Sequence, residues 1–296
     1  MLAHLGAFDD EALRVFLQPG RGGTPPRLLG LAAQALDATL VGRLVEALPA
    51  DARPAFADGR DGTATAGEVA RAGRTVVNLL FWPLLYWHQP AAYEELVSGE
   101  RIHPRVLDAL DLDDRTVCDA GAGAGRFTVL AARRARQVIA VDEVPPLLRL
   151  LEVRLLEQGI HNVEVRRGSF TAMPLDDSSV DIAVACSSLT SLAPFGGQEA
   201  LDEMERIVRP GGDIAVIWPD RPAWFRERGF VHLTAAGNDH LTFADPATAE
   251  RICRDFYSDE AAAWVTRHET AEVPFAVLGI PPPNDVCLRR VPAPIG

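Results

Sequence analysis

Two acidic residues and a cluster of glycines could bind a nucleoside in this chain. Residues 116–125 read T-V-C-D-A-G-A-G-A-G, and Asp142 ends a second apolar run, V-I-A-V. Glycines in a tight turn can adopt a positive φ and, because they lack Cβ, let a ligand lie against the backbone. A carboxylate nearby can accept hydrogen bonds from both hydroxyls of a ribose. The pattern therefore indicates a site for a nucleoside cofactor.

Two parallel strands would have to carry these residues. The apolar run that ends at Asp119 predicts a buried strand, and the Ala, Leu and Arg pattern of residues 126–136 predicts the helix after it. Residues 138–141 predict the next strand, so that Asp142 projects from its carboxyl end. Open α/β sheets bind ligands at the carboxyl ends of their strands. We therefore expect an α/β sheet with the site at that edge.

Three known sequence patterns for binding a nucleotide or nucleoside can be compared with the glycine turn. A dinucleotide-binding fold needs G-x-G-x-x-G, but Gly121, Gly123 and Gly125 place the third glycine one residue early. A phosphate loop needs G-K-[ST], and the chain contains no lysine. The remaining pattern is an acidic residue followed by alternating glycines, D-x-G-x-G-x-G, and Asp119 supplies its acid.

Five segments, in order, carry a resemblance to one family. They are residues 117–125, the strand end at Asp142, residues 163–174, residues 179–187, and residues 203–212 with the apolar strand after them. Residues 116–220 thus resemble the core of a class I (Rossmann-like) methyltransferase that depends on S-adenosylmethionine (SAM). The resemblance implies an α/β fold with a seven-stranded, mostly parallel Rossmann-like sheet, SAM as the cofactor, and methyl transfer.

The resemblance also implies the cofactor contacts. They are Asp119, Gly121, Gly123 and Gly125 on the methionine side, Asp142 at the ribose with its neighbour Glu143, Ser169 and Phe170 at the adenine, and Cys186 and Ser187 near the donor. One departure concerns the adenine, since the family usually has an acidic residue where this chain has Ser169. A hydroxyl can accept the same hydrogen bond without charge assistance, so we expect weaker or differently oriented adenine binding.

The chain's 296 residues have room for one or two domains. Helical patterns over residues 10–17, 27–48 and 66–80 predict an N-terminal helical cap within residues 1–110. Residues 111–296 would then form the SAM-binding core.

The family pattern also predicts how the core ends. Residues 246–268 would form a helix, and residues 273–278 and 285–290 the last two strands. Residues 221–245 would be an insertion on the substrate side.

An aromatic cluster in the predicted cap has two interpretations. Residues 81–93 hold four of the chain's eight Trp and Tyr residues, among them Trp82, Tyr86 and Trp87. These side chains could form a wall for an apolar or ring-bearing substrate, to which Trp224 of the insertion would add. They could equally join the helical region to the core.

Methyl transfer needs a general base only if the acceptor holds a proton that is lost with difficulty. The residues after the fourth predicted strand contain no histidine and no N-P-P-[YF] motif. Candidate bases are therefore His88, His103, His232 and His240, and His88 is favoured because it follows the aromatic cluster. The acceptor atom stays open among oxygen, nitrogen and carbon, with oxygen slightly favoured.

Net charge, hydropathy and cysteine spacing indicate which kinds of binding partner are unfavourable for this chain. A net charge of -12 disfavours nucleic acid, no apolar run is long enough to span a bilayer, and the four cysteines show no C-x-x-C spacing. We expect a cytoplasmic enzyme that acts on a small molecule and binds no nucleic acid, membrane or metal. A homodimer is a possible oligomeric state. The alternatives are a protein methyltransferase and a SAM-binding partner or regulatory protein without catalysis.

Overall fold

The structure is a computed structural model that describes residues 2–17, 24–191, 196–237 and 239–293. It comprises two compact units. Met1–Val97 and Asp245–Ala271 form the helical unit, and Ser98–Ala244 and Glu272–Gly296 form the sheet unit. The division after Val97 thus lies earlier than the predicted one near residue 110, and Asp245–Ala271, predicted within the core, belongs to the helical unit.

Strands and helices alternate through most of the sheet unit. In chain order the strands are β1 (Thr116–Ala120), β2 (Gln137–Asp142), β3 (Val163–Arg167), β4 (Val180–Cys186), β5 (Val208–Ile217), β6 (Val231–Thr234), β7 (His240–Thr242), β8 (Glu272–Pro274) and β9 (Asp285–Arg290). The helices of the whole chain are α1 (Asp10–Leu17), α2 (Pro26–Ala32), α3 (Ala38–Ala47), α4 (Arg53–Asp61), α5 (Ala66–Val76), α6 (Trp82–His88), α7 (Pro90–Val97), α8 (Pro104–Asp108), α9 (Arg126–Ala132), α10 (Pro145–Glu157), α11 (Gly197–Ile207), α12 (Pro222–Arg226), α13 (Pro246–Ile252), α14 (Asp259–His268) and α15 (Phe275–Leu278).

Seven strands in the described part of the chain form one sheet, in the order β3-β2-β1-β4-β5-β9-β6. The pairs among the first five strands are parallel, and β9 runs antiparallel to both β5 and β6. The predicted seven-stranded, mostly parallel sheet is therefore confirmed.

The centre of the sheet is buried on both faces. All five residues of β1 are buried, and alternate residues belong to opposite cores. Cys118 packs in the core that also contains apolar residues of α11, whereas Val117 packs with Phe127 of α9 and Val106 of α8. Continuous apolar strands such as β1 are typical of parallel sheets that are covered on both sides.

The end of the sheet differs from the prediction. Asp285–Arg290 is a sheet strand, but its outer partner is β6, which lies in the predicted insertion. Residues 273–278 were predicted as a strand of this sheet, and that is wrong: they contribute to β8, which pairs with β7 in a separate two-stranded sheet, and to α15. The β6 strand was hard to predict because its apolar residues, Val231 and Leu233, are exposed.

In the helical unit, a glycine allows two helices to pack closely, and a capping residue determines where a third helix begins. A Cβ on Gly30 of α2 would lie 1.9 Å from the carbonyl oxygen of Phe56 in α4, so the two helices cross in close contact. Residues 27–48, predicted as one helix, are divided before α3. Asp37 caps α3 there by accepting a hydrogen bond from the Leu40 amide at 2.9 Å, and such caps mark the start of a new helix.

Two π-helical turns, Val77–Phe81 and Cys253–Tyr257, also belong to the helical unit. The first turn precedes Pro83, which has no amide hydrogen to donate within a regular helix. The second turn and the Ser258 cap divide the predicted helix over residues 246–268 into α13 and α14. Among the described residues, no helix combines the length and the apolar character that a membrane crossing requires.

Candidate functional site

The strand order points to one edge of the sheet as the site. From β1 the chain continues outward to β2 and β3, then returns to place β4 on the other side of β1. Such a reversal leaves a crevice at the carboxyl ends of the two central strands, where open α/β sheets bind ligands. The glycine turn leaves β1 at this edge, and Ser187 and Ser188 follow β4 there.

The glycine turn has a backbone that favours glycine. Gly121, Gly123 and Gly125 have φ values of 76°, 54° and 89°, in the left-handed region. Added Cβ atoms would also collide, since one on Gly121 would lie 2.4 Å from Cβ of Ser188 and one on Gly125 would lie 2.3 Å from Cδ1 of Leu151. The turn is therefore packed tightly from the β4 side and from α10.

Asp119, at the end of β1, is a buried acidic residue with one engaged oxygen. Its side chain is 1% exposed, and Oδ2 accepts a hydrogen bond from the hydroxyl of Thr128 at 2.5 Å. Within the described residues, Oδ1 has no hydrogen-bond partner. Burial raises the pKa of Asp119 to about 7. A buried carboxylate oxygen without a partner is costly, and a cationic ligand group could satisfy it.

Asp142 ties the glycine turn to the end of β2. Its Oδ2 accepts from the Gly123 amide at 2.8 Å, and its Oδ1 accepts from the Val144 amide at 2.9 Å. Burial raises the pKa of Asp142, while these backbone hydrogen bonds lower it. Glu143 beside it is exposed. Because a carboxylate offers about four acceptor positions, the backbone amides leave part of this capacity for hydroxyl donors.

The segment after β3 is neutral. The Ser169 hydroxyl lies 2.9 Å from the Thr171 hydroxyl and accepts a hydrogen bond from the Thr171 amide at 3.2 Å. The Phe170 ring packs toward the glycine turn, since a Cβ on Gly121 would lie 3.5 Å from its Cδ1. The Gly168 amide donates to the carbonyl of Asp142 at 3.0 Å. Hydroxyl groups and a phenyl ring thus border the site here.

An arginine connects the ends of β1 and β4. Arg126, the first residue of α9, forms an ion pair with Glu100 and donates to Oγ of Ser187 at 2.9 Å. Ser187 has a φ of 55°, a strained conformation that is common at functional sites. Burial raises the pKa of the Cys186 thiol to about 11, so this side chain stays a neutral thiol at pH 7.

Four further polar residues lie at this edge that the sequence pattern did not indicate, namely Glu100, Arg126, Thr128 and Ser188. The Ser188 hydroxyl donates to the carbonyl of Ala120 at 2.6 Å, beside the glycine turn. A partial signal existed for Arg126, which directly follows the last glycine. None existed for Glu100, because its partner Arg126 is 26 positions away in the sequence.

The predicted cofactor residues all belong to the sheet unit, and the contacts above bring most of them to one edge. Three of the four predicted substrate residues, Trp82, Tyr86 and Trp87, belong to the helical unit. The Trp82 and Tyr86 rings stack there, with their centroids 6.1 Å apart. Trp224 lies in the sheet unit, where the Arg228 guanidinium covers its ring at 3.7 Å from the centroid.

The predicted base, His88, is exposed in the helical unit, where its ring contacts Phe16 edge-on with the centroids 5.6 Å apart. Of the other candidates, His103 lies 3.1 Å from the carbonyl of Ala236 and His232 lies 2.8 Å from the carboxylate of Asp285. In the part of the chain that the structure describes, no three or more His, Cys, Asp or Glu side chains are grouped to hold a metal.

Comparison with known proteins finds a family model and several relatives that match part of this chain. Residues 117–212 match a family model described as a methyltransferase domain. An uncharacterized methyltransferase of Mycobacterium tuberculosis is 31% identical over 152 residues, which cover 49% of this chain and 59% of that protein. One of Schizosaccharomyces pombe is 38% identical over 104 residues, 35% of this chain and 38% of that protein. The chain thus spans less than two thirds of these curated relatives.

A solved structure from Aquifex aeolicus, a SAM-dependent methyltransferase, aligns with a TM-score of 0.37 and 19% identity over 54% of this chain and 86% of that one. The strand order and the glycine turn define the fold of class I, Rossmann-like methyltransferases. Residues 117–212 match a methyltransferase domain, and the sheet that contains them has the fold of this class. The resemblance drawn from the sequence is therefore confirmed, and SAM is the cofactor of the class.

Proposed function

We propose that the protein transfers a methyl group from SAM to a small molecule. The observation that carries this proposal is the unpartnered Oδ1 of Asp119, buried beside a glycine turn at the crevice of the sheet. A fully buried carboxylate oxygen is costly without a partner, and the amino group of SAM is a cation of suitable chemistry. The carboxylate at this edge is therefore a suitable hydrogen-bond acceptor for the amino group of the cofactor.

The other cofactor contacts follow the edge outward from β1. Asp142 would accept the ribose hydroxyls with the acceptor positions that Gly123 and Val144 leave free. Ser169 and Phe170 would border the adenine, and Glu143 stands exposed at the same strand end. Cys186 and Ser187, at the end of β4, would lie near the donor.

SAM supplies an activated methyl group on a positively charged sulfur. The protein's part is to align the acceptor with that group, and orientation alone can supply much of the rate. A base is required only for an acceptor that retains its proton, and His88 stays the prediction for that role, with oxygen slightly favoured as the acceptor. Trp82, Tyr86, Trp87 and Trp224 stay the predicted substrate residues.

Charge supports a small molecule over nucleic acid. The chain carries 41 acidic and 29 basic residues, and nucleic-acid sites require clustered cations. A protein substrate is the first alternative, and a SAM-binding partner without catalysis is the second. A cytoplasmic location and a homodimer stay predictions.

Calorimetric titration of the full chain with SAM and S-adenosylhomocysteine tests the proposal, with Asp119→Ala, Asp142→Ala and, as a control, exposed Asp176→Ala. We expect micromolar binding that the first two substitutions abolish and the third leaves intact. Folded wild-type protein that binds neither ligand would contradict the proposal. A subsequent screen of small-molecule acceptors for turnover would separate an enzyme from a non-catalytic binder.

A further inference from the structure

Thr128 is a buried polar residue whose hydroxyl forms a hydrogen bond with the carboxylate of Asp119. Thr116, Asp119 and Thr128 are the polar side chains that are almost fully buried in the described residues, and Thr128 is 0% exposed. Its hydroxyl donates to Oδ2 of Asp119 at 2.5 Å, as expected for a charge-assisted bond to a carboxylate.

The usual alternative for this hydroxyl is already in use. A helical threonine often donates to the carbonyl four residues earlier, which here belongs to Ala124. That carbonyl accepts a hydrogen bond from Nη1 of Arg154 at 2.7 Å. The Thr128 hydroxyl instead fixes one oxygen of Asp119, and the other oxygen is left without a hydrogen-bond partner within the described residues.

Several charged and titratable groups act on Asp119 from the surrounding elements. Asp142 on β2 raises its pKa, Arg126 on α9 lowers it, and the Thr128 hydrogen bond lowers it as well. The Cys186 thiol on β4 stays neutral, because burial raises its pKa to about 11 and the charges of Asp119 and Glu100 raise it as well. Burial is the largest effect and raises the pKa of Asp119 to about 7. The charge of Asp119 therefore changes across neutral pH.

We propose that Thr128 is a positioning residue that orients the Asp119 carboxylate toward the amino group of the cofactor and makes cofactor binding depend on pH through Asp119. This inference rests on the proposed function, because it takes the cofactor to be SAM. Thr128 acts through Asp119 and need not touch the ligand.

The test uses two probes on the full chain. S-adenosylhomocysteine keeps the amino-acid end of the cofactor, whereas 5′-methylthioadenosine lacks it. Wild-type affinity for the first probe should rise about tenfold from pH 6 to pH 8, because the ionised fraction of a group with a pKa of about 7 rises about tenfold over that range. Affinity for the second probe should stay nearly constant.

Thr128→Val removes the hydroxyl at similar volume, and Thr128→Ser keeps it. We expect Thr128→Val to bind S-adenosylhomocysteine about tenfold more weakly at pH 7 and to shift the rise in affinity to higher pH, because it removes a hydrogen bond to the charged form. Its affinity for 5′-methylthioadenosine should equal that of the wild type, and Thr128→Ser should restore the wild-type profile.

Three results would overturn the inference. Thr128→Val could bind both probes with the wild-type pH profile, or it could weaken both probes equally, which a merely structural role would do. Thr128→Val could also fail to fold, and the inference would then be contradicted by a Thr128→Ser variant whose pH profile departs from the wild type. Wild-type protein that binds neither probe would instead refute the proposed function.

Discussion

The two ends of the candidate cofactor site are built from different chemistry. At the end of β1 lies the buried carboxylate of Asp119, and at the end of β2 the half-buried carboxylate of Asp142 accepts a hydrogen bond from the glycine turn. After β3, neutral Ser169 and Phe170 border the site, and the Ser169 hydroxyl is engaged with Thr171. Buried carboxylates bind cations and hydroxyls strongly, whereas neutral hydroxyls bind weakly. The amino-acid and ribose end should therefore dominate cofactor affinity.

The largest effect should come from the buried charge at the β1 end. Burial raises the pKa of Asp119 to about 7, so the folded state holds a proton that the unfolded chain releases at lower pH. The stability linked to that proton is complete below the unfolded pKa and is lost as the pH rises through about 7. Asp119→Asn should escape this loss and be more stable than wild type at pH 8, by up to about 4 kcal/mol.

Urea unfolding at pH 5 and pH 8 measures that difference, with exposed Asp176→Asn as the control. Equal pH dependence in wild type and Asp119→Asn would mean that Asp119 is not the buried titrating group.

The next effect concerns the rigidity of the turn. Gly125→Ala would combine a φ of 89° with a Cβ only 2.3 Å from Leu151, which is fully buried and cannot easily move. We expect a loss of about 3 kcal/mol in stability. Gly159→Ala is the matched control, because Gly159 has a φ of 63° but nothing within 4 Å of an added Cβ. It should lose about 1 kcal/mol. Equal losses would remove the packing argument.

The ribose contact should give a smaller change. Asp142→Asn leaves one carbonyl oxygen for the two amides, Gly123 and Val144, that the carboxylate now satisfies. We expect SAM affinity to fall about thirtyfold, roughly 2 kcal/mol. Glu143→Gln, on the exposed neighbour, should change affinity less than about threefold. Calorimetry measures the SAM affinity of both variants. A larger loss for Glu143→Gln than for Asp142→Asn would assign the ribose contact to Glu143.

The smallest effect is a gain at the adenine end. Ser169→Asp introduces the charge that the family usually has there, and we expect SAM affinity to rise about fivefold, roughly 1 kcal/mol. Ser169→Ala should lower it slightly. Weaker binding by Ser169→Asp in a folded protein would show that the adenine end does not lack charge.

The parts of the fold that local pattern determines were predictable from sequence. Continuous apolar runs identified β1 and β2, the family resemblance identified β4, and the glycine spacing identified the turn with positive φ values. The strand β6 was not predicted, because its apolar residues Val231 and Leu233 are exposed. Its place in the sheet depends on pairing with β9, more than 50 residues later, and no local pattern encodes that contact.

The site divides in the same way. The positions of Asp119 and Asp142 at the ends of β1 and β2 were predictable because each ends an apolar run next to the glycines. Their contacts with the cofactor stay predictions. Thr128 was not, because its role depends on a hydroxyl that reaches back to β1 from within a helix whose pattern is otherwise apolar. Glu100 acquires its position only when the fold places it beside Arg126.

The most direct test compares two ligands on the wild-type chain. S-adenosylhomocysteine and 5′-methylthioadenosine share their adenosine and sulfur, and only the first carries the amino-acid end that Asp119 is proposed to bind. By calorimetry at pH 8, the first should bind at least about a hundredfold more tightly, a difference of about 2.7 kcal/mol. Equal affinities, or no binding of S-adenosylhomocysteine, would contradict a cofactor site dominated by the carboxylates at the ends of β1 and β2.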